Sequence, residues 1–241
     1  FKLLQKFAQE ILQKHGTNLQ KIAIIFPNKR ASLWLNDCLA QTAGCPVFAP
    51  KYFSITEMLQ AQSSLCLADS IQLVSILHQT YCQVTGFQES LDRFYAWGEI
   101  LLWDFDNVDK SLADPQQVFR NVTSLHEMDT TDYLTEEQKA LLQHFFQSFT
   151  QSHESYIQQK FKALWSNLLE IYLTFRQTLR EANLAYEGMI YRDVVETVGY
   201  DDFPFEHYYA VGFNQLLRCE EKLFLPLADK LTIRRDEASV K

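Results

Sequence analysis

The sequence predicts an α/β fold: a parallel sheet interrupted by a large, all-helical insertion. Three observations carry this. Ile22-Ala23-Ile24-Ile25-Phe26 is continuously apolar and rich in β-branched residues, as a strand buried on both faces of a parallel sheet has to be. Stripes of helical period flank it, giving helix–strand–helix, the grammar of α/β chains. A second apolar run, Tyr208 to Phe213, returns more than 180 residues later, so the sheet is resumed near the end.

Phe1, Leu4, Phe7, Ala8, Ile11 and Leu12 share one face of a first helix. Gly16 is placed to stop it. The Ile22–Phe26 strand ends at Pro27, and Asn28 is a candidate cap for a second helix carrying Leu33, Trp34, Leu35, Cys38 and Leu39. Val47 to Ala49 suggests a short strand. From Ser54 the pattern is helical for well over a hundred residues. Ser54-Ile55-Thr56-Glu57 and Thr135-Glu136-Glu137-Gln138 are capping boxes, and Asp114-Pro115 is an N-cap followed by Pro at the first helical position. Helical stripes follow through Leu73, Leu77, Tyr81 and Val84, through Phe94, Trp97, Leu101 and Phe105, and through Leu142, Phe145, Phe146 and Phe149. Another runs from Phe161 through Trp165, Leu168 and Tyr172 to Leu179. The late strand at 208–213 precedes a helix around Glu220 to Leu227, and Leu231-Thr232-Ile233 opens a last strand. The expected division is a sheet-bearing core at 1–53 and 200–241 around an inserted helical subdomain at 54–199. The chain stops soon after the last strand signal, which suggests a segment of a longer protein.

Composition narrows the function classes. Apolar residues make up 47% of the 241, with only 7 Gly and 6 Pro, so a packed core is expected and long disordered stretches are not. Five cysteines, with no Cys-x-x-Cys pair, argue against a disulfide framework or a local zinc site and for buried free thiols in a reducing cytoplasm. No apolar run is long enough to span a membrane. Lys2, Lys6, Glu10 and Lys14 break up the first apolar stripe, which therefore reads as a helix rather than a secretion leader. The net charge of −8 argues against a general nucleic-acid binder. Its distribution qualifies that: residues 1–36 hold six Lys/Arg against one acid, whereas 87–137 hold twelve acids against three Lys/Arg.

Catalytic motifs are sparse. No Gly-rich phosphate loop is present, and the late strand ends in Val211-Gly212-Phe213-Asn214 where a nucleotide hydrolase places an acidic pair for magnesium and water. No catalytic residue, metal ligand or cofactor site is therefore expected. Asp104, Asp106 and Asp109 form D-x-D-x-x-D, but Asp104 points about 160° away from the other two around a helix, and a solvated acidic helix end is the better reading. His126 with Asp129 lies in a polar stretch with no nucleophile. Trp97, Trp103 and Trp165 have the chemistry to stack bases, yet Trp97 and Trp165 lie on apolar stripes and read as core. The most suggestive segment is Phe26-Pro27-Asn28-Lys29-Arg30-Ala31-Ser32, where a buried strand meets a helix. Open α/β sheets bind ligands at the carboxyl ends of strands. Lys29 and Arg30 are placed to meet phosphates there, and the competing reading is a capped turn with two solvated cations.

Phe26 to Ala31 resembles the second conserved motif of UvrD-type helicases, a strand ending in Thr-Asn-Lys-Ala-Ala that touches single-stranded DNA. Asn28, Lys29 and Ala31 match in place, while Pro27 and Arg30 depart from it. FPNKRASLWLN at 26–36, WGEILLWDFDNVDK at 97–110, YEGMIYR at 186–192 and VGFNQL at 211–216 occur in this order. That succession resembles the N-terminal part of AddB/RexB-type helicase–nuclease subunits, particularly the PD-(D/E)XK nuclease proteins of Bacteroides-like bacteria. The resemblance implies a parallel, P-loop-helicase-like sheet with a helical insert. It implies a DNA-repair protein that pairs with an AddA-like motor-nuclease subunit, with a nuclease motif downstream of this segment. Gly212, Phe213 and Asn214 would occupy the place of the magnesium motif, as a degenerate, inactive ATPase site.

Two functions from different classes follow. In one, the chain is a catalytically silent module that binds single-stranded DNA through Asn28, Lys29 and Arg30, with Ser32 as a phosphate donor. In the other, it is a protein–protein scaffold that docks a motor subunit without touching DNA.

Overall fold

A computed structural model of the chain describes residues 2–119, 164–197 and 203–234. The His126–Asp129 pair, the Thr135 capping box, the Leu142–Phe149 stripe and Phe161 lie outside these. The chain divides into two compact units, one made of 1–66, 109–112 and 187–241, the other of 67–108 and 113–186.

The first unit is built on a four-stranded parallel sheet. Its strands are β1 (Ile22–Phe26), β2 (Lys51–Ser54), β5 (His207–Val211) and β6 (Leu231–Arg234), in the spatial order β2-β1-β5-β6. β1 is central and buried throughout. Ile24 stands opposite Tyr52 on one side and Tyr209 on the other. The two apolar runs of the sequence are thus adjacent, parallel strands, as their burial requires. Helix α1 (Lys2–His15) ends at Gly16, whose φ of +72° and N–H bond to the Leu12 carbonyl close the last turn. Helices α1 and α2 (Ala31–Ala43) pack together over one sheet face. Phe7 and Ile11 of α1 and Leu35 and Leu39 of α2 join Ile24, Phe26, Tyr209 and Val211 in one core. Helices α3 (Ile55–Gln60), α8 (Glu187–Thr197) and α9 (Arg218–Phe224) complete this unit, with α8 touching both α3 and α9.

Two expectations need correction here. The short strand expected at Val47–Ala49 lies at Lys51–Ser54 instead, directly after Pro50, which has no N–H to give a ladder. Only Phe48 of the expected run forms a lone bridge, to Asn18. Helices α3 and α8 belong with the sheet, not with the helical segment expected over 54–199. Their hydrogen bonds to each other, described below, account for this.

The described residues of the second unit are helical apart from a two-residue ladder in which β3 (Cys66–Leu67) pairs with β4 (Leu184–Ala185). Helix α4 (Ser70–Thr85) is capped by the Asp69 carboxylate and stopped by Gly86. It buries Leu73, Leu77 and Tyr81 as the spacing predicts, against α7 (Leu168–Glu181). Helix α5 (Leu91–Lys110) buries Phe94, Leu101 and Phe105, and its final residues enter the first unit. A one-turn helix, α6 (Pro115–Val118), follows the Asp114 cap. Phe105, Phe119, Tyr172 and Phe175 meet edge-on or tilted in an aromatic core. Trp97 packs on Tyr81 and Phe94 as expected. Trp165 does not follow its stripe: helix α7 begins only at Leu168, and the indole remains 41% exposed.

Candidate functional site

All four strands of the main sheet run the same way, so their carboxyl ends share one edge. From β1 the chain passes through α2 to β2 on one side, whereas β5 lies on the other side of β1. The β1/β5 boundary is therefore a topological switch point, the place where open parallel sheets form a ligand crevice. Pro27 to Arg30 leaves β1 there, and Gly212 to Asn214 leaves β5 beside it. The structure thus brings the two predicted segments to neighbouring strand ends.

Their side chains are not equivalent. Pro27, Asn28, Lys29 and Arg30 are exposed. The Asn28 side chain accepts the Arg30 N–H at 2.9 Å, so it caps a turn ahead of the helix and α2 itself starts at Ala31. Lys29 Nζ donates to Glu57 Oε1 at 2.6 Å. Glu57 is the capping-box residue of α3, and the hydrogen bond from Lys29, followed by that from the Ser54 N–H, holds its carboxyl below the ordinary range. Lys29 is therefore held in an exposed surface ion pair. The Arg30 guanidinium forms no ion pair among the described residues. Ser32 is corrected as a phosphate donor: it is buried, and its hydroxyl proton goes to the Lys29 carbonyl at 2.7 Å.

On the β5 side, Gly212 adopts a φ of +82° and gives its N–H to the Arg234 carbonyl. Phe213 turns back into the core against Phe224. Asn214 is exposed. No carboxylate stands at 212–214, and Phe213 fills a buried apolar position. Among the described residues, no group of three His, Cys, Asp or Glu is arranged to hold a metal.

Beside this edge lies a polar network that the sequence did not reveal. Thr56, next to Glu57, donates to Glu187 Oε1 at 2.7 Å and meets the Tyr191 hydroxyl at 3.0 Å. Lys110 pairs with Glu187 and lies over the Tyr191 ring. Burial works to raise the Glu187 carboxyl, but hydrogen bonds from Lys110 and Thr56 outweigh it and hold it below its usual range. Glu220 is pushed up by burial, against the pull of the Leu217 N–H and Lys110. Asp109, expected to be a solvated acid, has no exposed surface and lies 2.8 Å from the Arg192 Nε. The Cys219 thiol donates to the Asp109 carbonyl, and burial pushes it up to about 12. Two motifs quoted from the sequence, 97–110 and 186–192, thus meet in these ion pairs.

All five cysteines are free, but only Cys38 and Cys219 are buried; Cys45 and Cys66 are exposed. A cavity of about 170 Å³ lined by Leu39, Ala40, Pro46 and Val47 lies at the far end of α2 and contains no charged side chain. No described helix is long and apolar enough to cross a membrane. Fold and edge together define a parallel α/β unit whose switch point is flanked by the exposed turns at 27–30 and 212–214. No family model matches this chain, and no curated protein matches it in sequence.

Proposed function

We propose that the chain is a catalytically silent, helicase-like module of a cytoplasmic DNA-repair and recombination subunit of the AddB/RexB type, which binds single-stranded DNA or positions it for an AddA-like motor-nuclease partner. The observation that carries this reading is the switch point itself, which sets Asn28–Arg30 beside Gly212–Asn214. A basic, exposed turn there suits phosphates. The missing Gly-rich loop, together with Gly212 and Phe213 in place of acids, supports a P-loop-helicase-like sheet without ATP turnover. The helical segment is then an insertion between β2 and β5. The second reading is a scaffold docking the motor subunit without DNA. The overall charge of −8 and the pairing of Lys29 with Glu57 favour it.

A salt titration of single-strand binding by the chain in complex with its motor partner separates the two. Binding should weaken with salt, at a log–log slope of about −0.7 per phosphate contact. Lys29→Ala/Arg30→Ala should make that slope shallower by about 0.7 to 1.4, weakening all sequences alike. An unchanged slope and affinity would leave the scaffold reading standing. The isolated chain should not hydrolyse ATP.

A further inference from the structure

Helix α5 buries Phe94, Leu101, Phe105 and Val108 on one side. On the other side Ala96, Ile100 and Trp103 follow one another at intervals of four and three residues. All three are exposed, Ile100 by 63% and Trp103 by 65%. Single exposed apolar side chains need no explanation. These adjoin, because residues three and four apart are neighbours on a helix surface. A helix face that meets only water is polar, whereas alternating steps of four and three are the a and d seam of a helix pair. Arg93 and Asn107, both exposed, extend the seam at its two ends.

With Ile100 at a and Trp103 at d, the same frame puts Asp92, Glu99 and Asp106 at successive g positions and Asp104 at e. The e and g positions flank the seam, and their charges choose the partner. Among the described residues no cation pairs with Asp92, Glu99 or Asp104. Partial burial holds the Asp104 carboxyl above its usual range. The frame disfavours a second copy of this chain. In a parallel pair Glu99 would face Asp104 of the other copy, and in an antiparallel pair g would face g, acid against acid. It disfavours nucleic acid too: the Trp103 indole has a stacking face, but phosphates would have to pass between carboxylates. A helix with Lys or Arg at e and g would meet Glu99 and Asp104 while covering Ile100 and Trp103.

We infer that the outer face of α5 docks a basic amphipathic helix of another protein, with Ile100 and Trp103 as apolar anchors and Glu99 and Asp104 as the charges that select it. Tryptophan is among the residues that carry most of the energy of a protein interface. The inference stands apart from the DNA reading, since it concerns the helical unit and needs nothing from the edge of the sheet.

The test uses the whole chain and fluorescent peptides of about three heptads. The first carries Leu at a and d and Lys at e and g. The second has Glu in place of Lys. The third is a scramble of the first, with the same charge and no apolar seam. The wild type should bind the first about tenfold or more tightly than either of the others. Trp103→Ala should weaken that binding by about tenfold or more, and Ile100→Ala should weaken it less. Glu99→Lys/Asp104→Lys should make the Glu peptide the preferred one. Glu181→Lys/Glu221→Lys, the same charge change at exposed positions of α7 and α9, should leave the Lys peptide preferred. Circular dichroism and thermal unfolding establish that each variant is folded. Equal binding of the scrambled peptide would reduce the effect to attraction by the net charge of −8 and overturn the inference. So would binding unmoved by Trp103→Ala, a preference unmoved by the reversal at Glu99 and Asp104, or no binding of the Lys peptide at all. Self-association in sedimentation that disappears in Trp103→Ala would assign the face to a second copy and overturn it as well.

Discussion

Asp109 and Glu10 carry the same charge and each pairs with an arginine, yet burial gives them different weights. Asp109 is fully buried against Arg192, while Glu10 and Arg234 each keep more than a third of their side-chain surface in water. An exposed pair contributes at most about 1 kcal/mol. Removing one member of a buried pair leaves an uncompensated charge and costs about 3–5 kcal/mol. Asp109→Ala should therefore lower the urea midpoint severely and Glu10→Ala hardly at all. Replacing both buried partners, as Asp109→Leu/Arg192→Met, should recover most of the loss, because neither charge is then stranded. A double variant as unstable as Asp109→Ala would mean that packing, and not the charge, sets the cost. The sequence showed Asp109 as one acid of a D-x-D-x-x-D run. Its partner lies 83 residues away, and no local spacing rule connects them. The Lys29–Glu57 pair is hidden from the sequence for the same reason, since Glu57 reads locally as a capping residue and only the fold turns it toward Lys29.

Elements were legible wherever burial follows a strict period. β1 and β5 are continuous apolar runs, and α4 and α5 bury most of the residues their stripes nominate, with Val84 and Trp97 half-buried. Edge strand β2, Lys-Tyr-Phe-Ser, has no buried residue and so no apolar signature. Helix α8 reads as part of a helical region, and what joins it to the sheet unit is long-range: packing on α3 and α9 and the bonds from Glu187 to Thr56 and Lys110. Gly98 in the middle of α5 shows packing overruling propensity. A Cβ there would come within 2.4 Å of the Phe94 ring and 3.2 Å of Val74. Phe94 is fully buried and in contact with Tyr81 and Trp97, so it has nowhere to move. Alanine would gain about 1 kcal/mol of helix propensity, but overpacking costs about 1–3 kcal/mol. Gly98→Ala should lower the thermal midpoint by a few degrees. A rise would show that the ring yields more easily than its surroundings suggest.

At the scale of the whole molecule, ionisable groups with different windows set how stability responds to pH. His15, at the end of α1, meets the Tyr209 hydroxyl at 2.9 Å, and its ring lies 5.6 Å from that of His207. His207, at the start of β5, meets the Thr232 hydroxyl at 3.0 Å. Burial first, then the neighbouring Lys14 charge, holds both imidazoles below 6.5. The unfolded chain therefore takes up protons before the native state does. Their contribution is complete above about pH 6.5 and is lost as pH falls through their lowered folded values. Glu57 and Glu187, also lowered, act with the same sign but only below about 4.5. Glu220, raised by burial, acts with the opposite sign: its cost is present at neutral pH and is relieved on acidification. The first loss on acidification should thus come from the histidines, moderated by Glu220. Urea midpoints should decline as pH falls from about 6.5 to about 5.5, ahead of the range in which ordinary carboxylates titrate. In His15→Gln/His207→Gln, whose amides can still meet Tyr209 and Thr232 without titrating, that decline should flatten. The steep loss near pH 4 and below, set by Glu57 and Glu187, should remain. A decline equally steep in the double variant would remove the histidine pair as the source, because among the described residues no other group with a lowered value titrates between those limits.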